Sequence, residues 1–178
     1  MTPAEFKDTA LENSFLDQTL QICVVTRDFQ RTLKGFTDLG IGPWWCVDFE
    51  TETGLTEAKY RGEPADFAMH LGLAWTGSMM WEIVQPKKGP TIYDEFLKSH
   101  DEGIHHVALS NTGRTFDECI EEFARRGYPA IMSGRWNGIG FCYFEVEEAT
   151  TTTFEIFDWP PDMDLPEPAY WYPAGPEG

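Results

Sequence analysis

The sequence predicts an α+β fold made of two β-α-β-β-β modules. Three observations carry that prediction. Two β-prone runs, Leu20–Thr26 and Gly103–Leu109, are each followed by a capped amphipathic helix. The interval from cap to stopping glycine is the same in both cases, Asp28 to Gly40 and Thr115 to Gly127. About three further β-prone runs follow each helix, separated by turn residues. A repeat of this kind changes the reading of the whole chain, because its units bury their apolar faces against one another. The expected organisation is an N-terminal extension at 1–14, a first module at 15–90, a second module with its linker at 91–160, and a Pro-rich tail at 161–178.

Each element has a local reason. Residues 5–14 are compatible with a short helix. In Leu20–Thr26 one face carries Gln21, Cys23 and Val25, and the other carries Leu20, Ile22 and Val24. Asp28 is a good N-cap, and Phe29, Leu33 and Phe36 then fall on one helical stripe. Trp44–Phe49, Thr56–Tyr60, Phe67–Trp75 and Met79–Gln85 read as strands, with Thr76-Gly77-Ser78 as a hairpin turn. Pro86–Pro90 breaks the pattern, and Tyr93–Ser99 reads as a connecting helix. After the Gly103–Leu109 strand, Thr115 and Glu118 have capping-box spacing. Phe116, Cys119, Ile120, Phe123 and Ala124 make the second apolar stripe. Ala130–Arg135, Ile139–Glu145 and Thr152–Phe157 read as the remaining strands. The tail is expected to be mostly irregular, packed by Tyr170, Trp171 and Tyr172.

The bulk numbers exclude several classes. The 178-residue chain can bury a core without disulfides. Its formal charge of −17 disfavours nucleic acid and anionic membranes as partners. Cys23, Cys46, Cys119 and Cys142 form no CxxC and no regular framework, so they read as reduced thiols of a cytoplasmic protein. No run reaches membrane-spanning length, and residues 1–20 lack the apolar segment of a signal peptide.

Superposing the modules aligns four polar residues. Gln21 and His106 lie in the first strands, and Glu82 and Glu155 in the last. By strict alternation only one of His105 and His106 can face a given cavity, and His106 shares the face of Ile104, Ala108 and Ser110. Alone, each strand Glu reads as solvated and Gln21 as an ordinary hydrogen-bonding residue. Together, one imidazole, two carboxylates and one amide oxygen make a borderline-hard set for a divalent ion. The set leaves Zn, Ni, Co, Mn, Mg and Fe(II) open.

Four stretches carry a family resemblance: Ile22-Cys23-Val24-Val25-Thr26-Arg27-Asp28, Leu39-Gly40-Ile41-Gly42-Pro43-Trp44, Trp81-Glu82-Ile83-Val84-Gln85-Pro86 and Gly103-Ile104-His105-His106-Val107-Ala108. With Phe154-Glu155-Ile156 as closing strand, residues 15–160 resemble the vicinal oxygen chelate superfamily, and in wording its methylmalonyl-CoA epimerase and glyoxalase-like branch. The resemblance implies paired modules whose mixed sheet curls into a cup around a metal. It implies Gln21, Glu82, His106 and Glu155 as ligands. Epimerases of this type usually carry His where Gln21 stands, whereas animal-type lactoylglutathione lyases carry Gln. If the strand register shifted, Gln18 would be the rival, on the opposite face.

The activity implied is that of an isomerase, epimerase or lyase. It would move a proton next to a carbonyl through an enolate or enediolate held by the metal, with Glu155 as base and Glu82 as its counterpart. Candidate substrate contacts are Trp44, Trp81, Arg135, Trp136 and Phe141, with Trp45 and Trp75 as further aromatics. Lys87 and Lys88 join Arg135 as the obvious phosphate partners. The expected partners are a small carbonyl substrate and a second copy of the chain. Two other readings stand beside it: a metal-free small-molecule binding or resistance protein, and an extradiol-type dioxygenase, against which Gln21 in place of a histidine argues.

Overall fold

The computed structural model describes residues 11–111, 113–160 and 162–175. Part of the segment proposed as a first helix, 5–14, therefore lies outside the described residues, and residues 11–14 form a turn. The chain then alternates as read. Leu16–Val25 (β1) leads to Phe29–Asp38 (α1), and Trp44–Phe49 (β2) to the hairpin Leu55–Tyr60 (β3) and Glu63–Pro64 (β4). Ala68–Thr76 (β5) and Met79–Lys88 (β6) close the first half. Ile92–Ser99 (α2) links to Gly103–Asn111 (β7), Phe116–Arg125 (α3), Ala130–Trp136 (β8) and Ile139–Phe144 (β9). Glu147–Thr150 (α4), Thr153–Asp158 (β10) and Tyr170–Tyr172 (β11) complete the elements.

Both long helices begin on the expected caps. Asp28 accepts from the Arg31 backbone N–H at 3.0 Å. Thr115 and Glu118 form a reciprocal capping box, at 3.2 Å and 2.7 Å. Gly40 and Gly127 then take the left-handed conformation that ends each helix, with φ of 87° and 89°.

The eleven strands of the described residues form one mixed, curled sheet in the order β11-β2-β5-β6-β1-β7-β10-β9-β8-β3-β4. At its centre β1 and β7 pair antiparallel, and outward from them the halves mirror each other. In each, the first strand pairs parallel with the last, which pairs antiparallel with the strand before it in the chain. The largest apolar cluster joins residues of both halves, and smaller clusters lie under α1 and α3. Gly72 on β5 and Gly140 on β9 mark the seats of the helices. A Cβ on Gly72 would sit 3.1 Å from Phe29, and one on Gly140 3.2 Å from Phe116, the first residues of α1 and α3.

Three features depart from the sequence reading. β6 runs through Pro86, which lies at a register shift and beyond the point where β1 stops pairing with β6. Its missing N–H therefore costs no ladder bond on that side. The hairpin β3–β4 does not extend its own half but pairs with β8, the outer strand of the other. The tail is not wholly irregular: β11 pairs with β2, the outer strand of the first half. Each half thus covers the other's edge, which removes both as templates for edge pairing.

Candidate metal centre

Gln21, Glu82, His106 and Glu155 meet on the concave face. Cys23 pairs with Glu82 on one side and with His106 on the other, so the two central strands bring these groups level. Glu155 pairs with Ala108, two residues along from His106. The Nε2 of His106 lies 3.1 Å from Glu155 Oε2 and 3.3 Å from Glu82 Oε2. These are ion-pair distances without hydrogen-bond geometry. Five buried side-chain nitrogen or oxygen atoms among the described residues lack a hydrogen-bond partner, and four belong to this set: Gln21 Nε2, Glu82 Oε2, His106 Nε2 and Glu155 Oε2. Buried polar atoms are rarely left unpaired, so four converging orphans need an explanation. Turning the Gln21 amide over would offer its oxygen to the same point. The donor set fits a divalent ion.

Electrostatics agree with that fit. Burial pushes His106 down, but the Glu155 and Glu82 carboxylates outweigh it and raise its pKa to about 9. Burial holds Glu155 above the usual carboxylate range, and the nearby Glu82 adds to this. A cation among these groups would relieve both strains.

Two neighbours escaped the sequence reading. His105 is also buried, at 5 % exposure, with its Nδ1 2.9 Å from His106 Nδ1. Strict alternation fails here because β7 slips against β1 between Cys23 and Val24. The slip turns Ile104 outward, 59 % exposed, and tucks His105 against Tyr93 and Phe96 of α2. Burial lowers the pKa of His105, so it stays neutral beside His106. Cys23 is the second: its thiol joins Glu82 and His106 in a cluster whose ligand atoms all lie within 4.8 Å of one another. The alternation of β1 already placed Cys23 on Gln21's face, which was the available signal. Gln18 lies exposed, with its backbone N–H bonded to Ser110.

A cavity of ≈ 80 Å³ opens in front of Gln21, Glu82 and Glu155, with His106 fully buried behind them. That is room for more than one water, each needing roughly 10–15 Å³. Trp136 and Phe141, two of the candidate substrate contacts, lie in its wall. Trp45, Phe49 and Tyr143 join them, with Trp159 directly after β10 and Leu165 from the tail. Gly134 leaves Phe141 its place, since a Cβ there would come within 2.9 Å of the ring.

Three of the proposed substrate contacts lie elsewhere. Trp44 is buried on the helix-covered face, with its Nε1–H on the Ile41 carbonyl and Phe36 across its ring. Trp81 packs against the same Phe36. It adjoins Glu82, so the two must point to opposite faces. Arg135 adjoins cavity-lining Trp136 for the same reason and turns outward to Asp158 at 3.4 Å. Trp75 is 42 % exposed.

Residues 20–143 match the family model of the glyoxalase/bleomycin resistance protein/dioxygenase superfamily. The chain belongs to this superfamily. Its fold is also that of methylmalonyl-CoA epimerase from Mycobacterium tuberculosis, with a TM-score of 0.63 at 12% identity, covering 86% of this chain and 95% of that one. A hypothetical protein from Bacillus halodurans C-125 aligns with a TM-score of 0.60 at 15% identity, over 83% and 98% of the two chains. A Streptomyces coelicolor methylmalonyl-CoA epimerase variant in complex with 2-nitronate-propionyl-CoA gives 0.57 at 15% identity, over 85% and 99%. At these identities the likeness establishes the superfamily's fold. No curated protein matches the chain in sequence. No helix among the described residues is long and apolar enough to cross a membrane.

Proposed function

We propose that the protein is a divalent-metal-dependent isomerase, epimerase or lyase that moves a proton next to a carbonyl. The observation behind this reading is the convergence of four buried, unpartnered side-chain atoms, three of them on residues in one cavity wall and the fourth on His106 directly behind it. Gln21, Glu82, His106 and Glu155 would hold the ion. When bound, it would supply Lewis acidity toward a carbonyl oxygen, lowering the cost of the charge that develops there.

The chain's own groups do the rest. Glu155 takes the proton from carbon and returns it; its raised pKa brings its basicity nearer to that task. Glu82, on the other side of His106, is the matching carboxylate for the opposite face of the substrate. His105 occupies Nδ1 of His106 and leaves Nε2 turned to the carboxylates. Tyr93 and Tyr143 bond to each other through their hydroxyls at 2.8 Å and wall off His106 from water.

The test is elemental analysis of the purified protein beside His106→Ala and Glu155→Gln. About one divalent ion per chain, lost in His106→Ala, is expected. Proton exchange at a substrate carbon in heavy water, slowed in Glu155→Gln, would follow. A wild-type protein that takes up no ion, even with added Zn, Mn, Co or Ni, would sink this reading in favour of a metal-free binder.

A further inference from the structure

The carbonyl compound that enters this cavity must carry its charge, if any, somewhere the walls can accept it. Among the described residues, no lysine or arginine lines the cavity. Among the described residues, its ionisable wall groups besides two tyrosines are the carboxylates of Glu82 and Glu155. On the strands that build the walls, the cations are already engaged and directed elsewhere. Arg135 of β8 faces Asp158 at 3.4 Å and Glu57 at 3.9 Å. Lys87 of β6 faces Asp48 at 3.2 Å and Glu50 at 3.7 Å. Lys88 is bound to Asp66 at 2.5 Å.

The tail adds a second, independent constraint. Trp159 and Leu165 form part of the cavity wall. The segment is fastened across β2, where the Trp45 Nε1–H donates to the Pro166 carbonyl at 2.9 Å and the Ala169 N–H to the Cys46 carbonyl at 2.9 Å. Between and beside its two apolar contacts, Asp162, Asp164 and Glu167 are exposed. The strap is therefore apolar inward and acidic outward, on a chain whose net charge is −17. An anion approaching it meets like charge, and an anion inside meets no lysine or arginine among the described residues, while the charge of a divalent ion held there would already be balanced by Glu82 and Glu155.

We propose that the site takes a compact, uncharged carbonyl compound with an apolar body, and excludes acyl-CoA thioesters and free carboxylates. The carbonyl in this statement rests on the proton-transfer reading above; the exclusion of negative charge rests on the cavity and its strap alone. The aromatic and methionine walls supply the contact for the apolar body, and Gln21 offers a neutral amide at the wall.

Calorimetric titration of the full chain with three probes tests it: 2-hydroxyacetophenone, which is uncharged; phenylglyoxylate, a similar body bearing a carboxylate; and propionyl-CoA. The hydroxyketone is expected to bind about tenfold or more tightly than phenylglyoxylate, because a buried unpaired charge costs far more than a hydroxyl. Propionyl-CoA is expected to give no heat of binding at concentrations that saturate the hydroxyketone. In Leu165→Lys, which places a cation in the strap, the preference over phenylglyoxylate should shrink. Equal or tighter binding of either anion, silence from all three probes, or an unchanged preference in Leu165→Lys would overturn the proposal. The titration is run on metal-loaded and on metal-free protein. A chain that retains no ion but still prefers the uncharged probe would fail the proton-transfer reading and keep this one.

Discussion

In the first half of the sheet Gln21 stands where the second half carries His106, while Glu82 and Glu155 stand at matching places in their closing strands. The helices differ in a parallel way. α3 is capped by Thr115 and Glu118 alone, whereas α1, capped by Asp28, also rests on Gln85 of its own half and on Glu102 of the other. Gln85 accepts from the Phe29 N–H at 2.8 Å. Glu102, at the start of the second half, accepts from the Arg27 N–H at 2.6 Å, Thr26 Oγ1 at 2.8 Å and Arg31 at 2.6 Å. The scaffold is duplicated, but the strongest donor and the self-sufficient helix cap both sit in the second half. Near-symmetric topology therefore does not imply interchangeable roles.

Ion retention should break the symmetry most visibly. His106→Ala is expected to weaken binding by at least about 100-fold, and Gln21→Ala by about tenfold, since an amide is the poorer donor. Gln21→His gives both halves an imidazole and should bind the ion at least as tightly as wild type; competition with a chromophoric chelator reads all three. The contact across the mouth comes next. Trp136 of the second half packs on Trp45 and Phe49 of the first, at ring centroid distances of 5.7 Å and 5.3 Å. Trp136→Ala should cost about 3–5 kcal/mol in a denaturant titration.

The helix seats allow a finer comparison. Gly72→Ala presses on Phe29 and Leu33, both buried, and should cost roughly 1–3 kcal/mol. Gly140→Ala presses on half-buried Phe116, which has room to yield, so a smaller loss is expected. A reversed order would mean that α3 is the more rigidly seated helix.

The smallest effect is the pH dependence of the α1 start. The Arg27 N–H, Arg31 and Thr26 hold Glu102 at about 2, below its usual value of 4.5. A depressed carboxylate stabilises the folded state above its unfolded pKa and loses that contribution as pH falls toward the folded value. Glu102→Gln should therefore lose roughly 1 kcal/mol at neutral pH and flatten the acid limb of the stability curve between those two values. An unaltered acid limb would show that the cross-half cap contributes nothing.

Much of this arrangement was legible in the residues. Caps and stopping glycines act locally, so both helices followed from Asp28, Gly40, Thr115 and Gly127. The four convergent polar residues followed from the repeat, because each alone was an anomaly on an apolar strand. The misplaced aromatics have a different origin. Alternation assigns neighbours to opposite faces without saying which is inner, which left Trp44 and Trp45 undecided. For Trp81 the rule was sufficient, because Glu82 beside it had already been placed inward. His105 could not be read, since the slip in β7 depends on how two strands register rather than on either strand's composition. Nor does anything in Leu55–Tyr60 or Tyr170–Tyr172 name the edge each will join; that choice belongs to the assembled sheet.

The exchange of edges also orders events in time. β2 is made early, yet its outer edge is covered by β11, whose residues leave the ribosome more than a hundred positions later. During synthesis Trp44–Phe49 must wait as an uncovered strand, and the hairpin Leu55–Pro64 must wait for β8. The nascent first half is thus an unfinished object, open to mispairing, and its waiting strands find their partners one after the other, first when β8 has been made and then when β11 has.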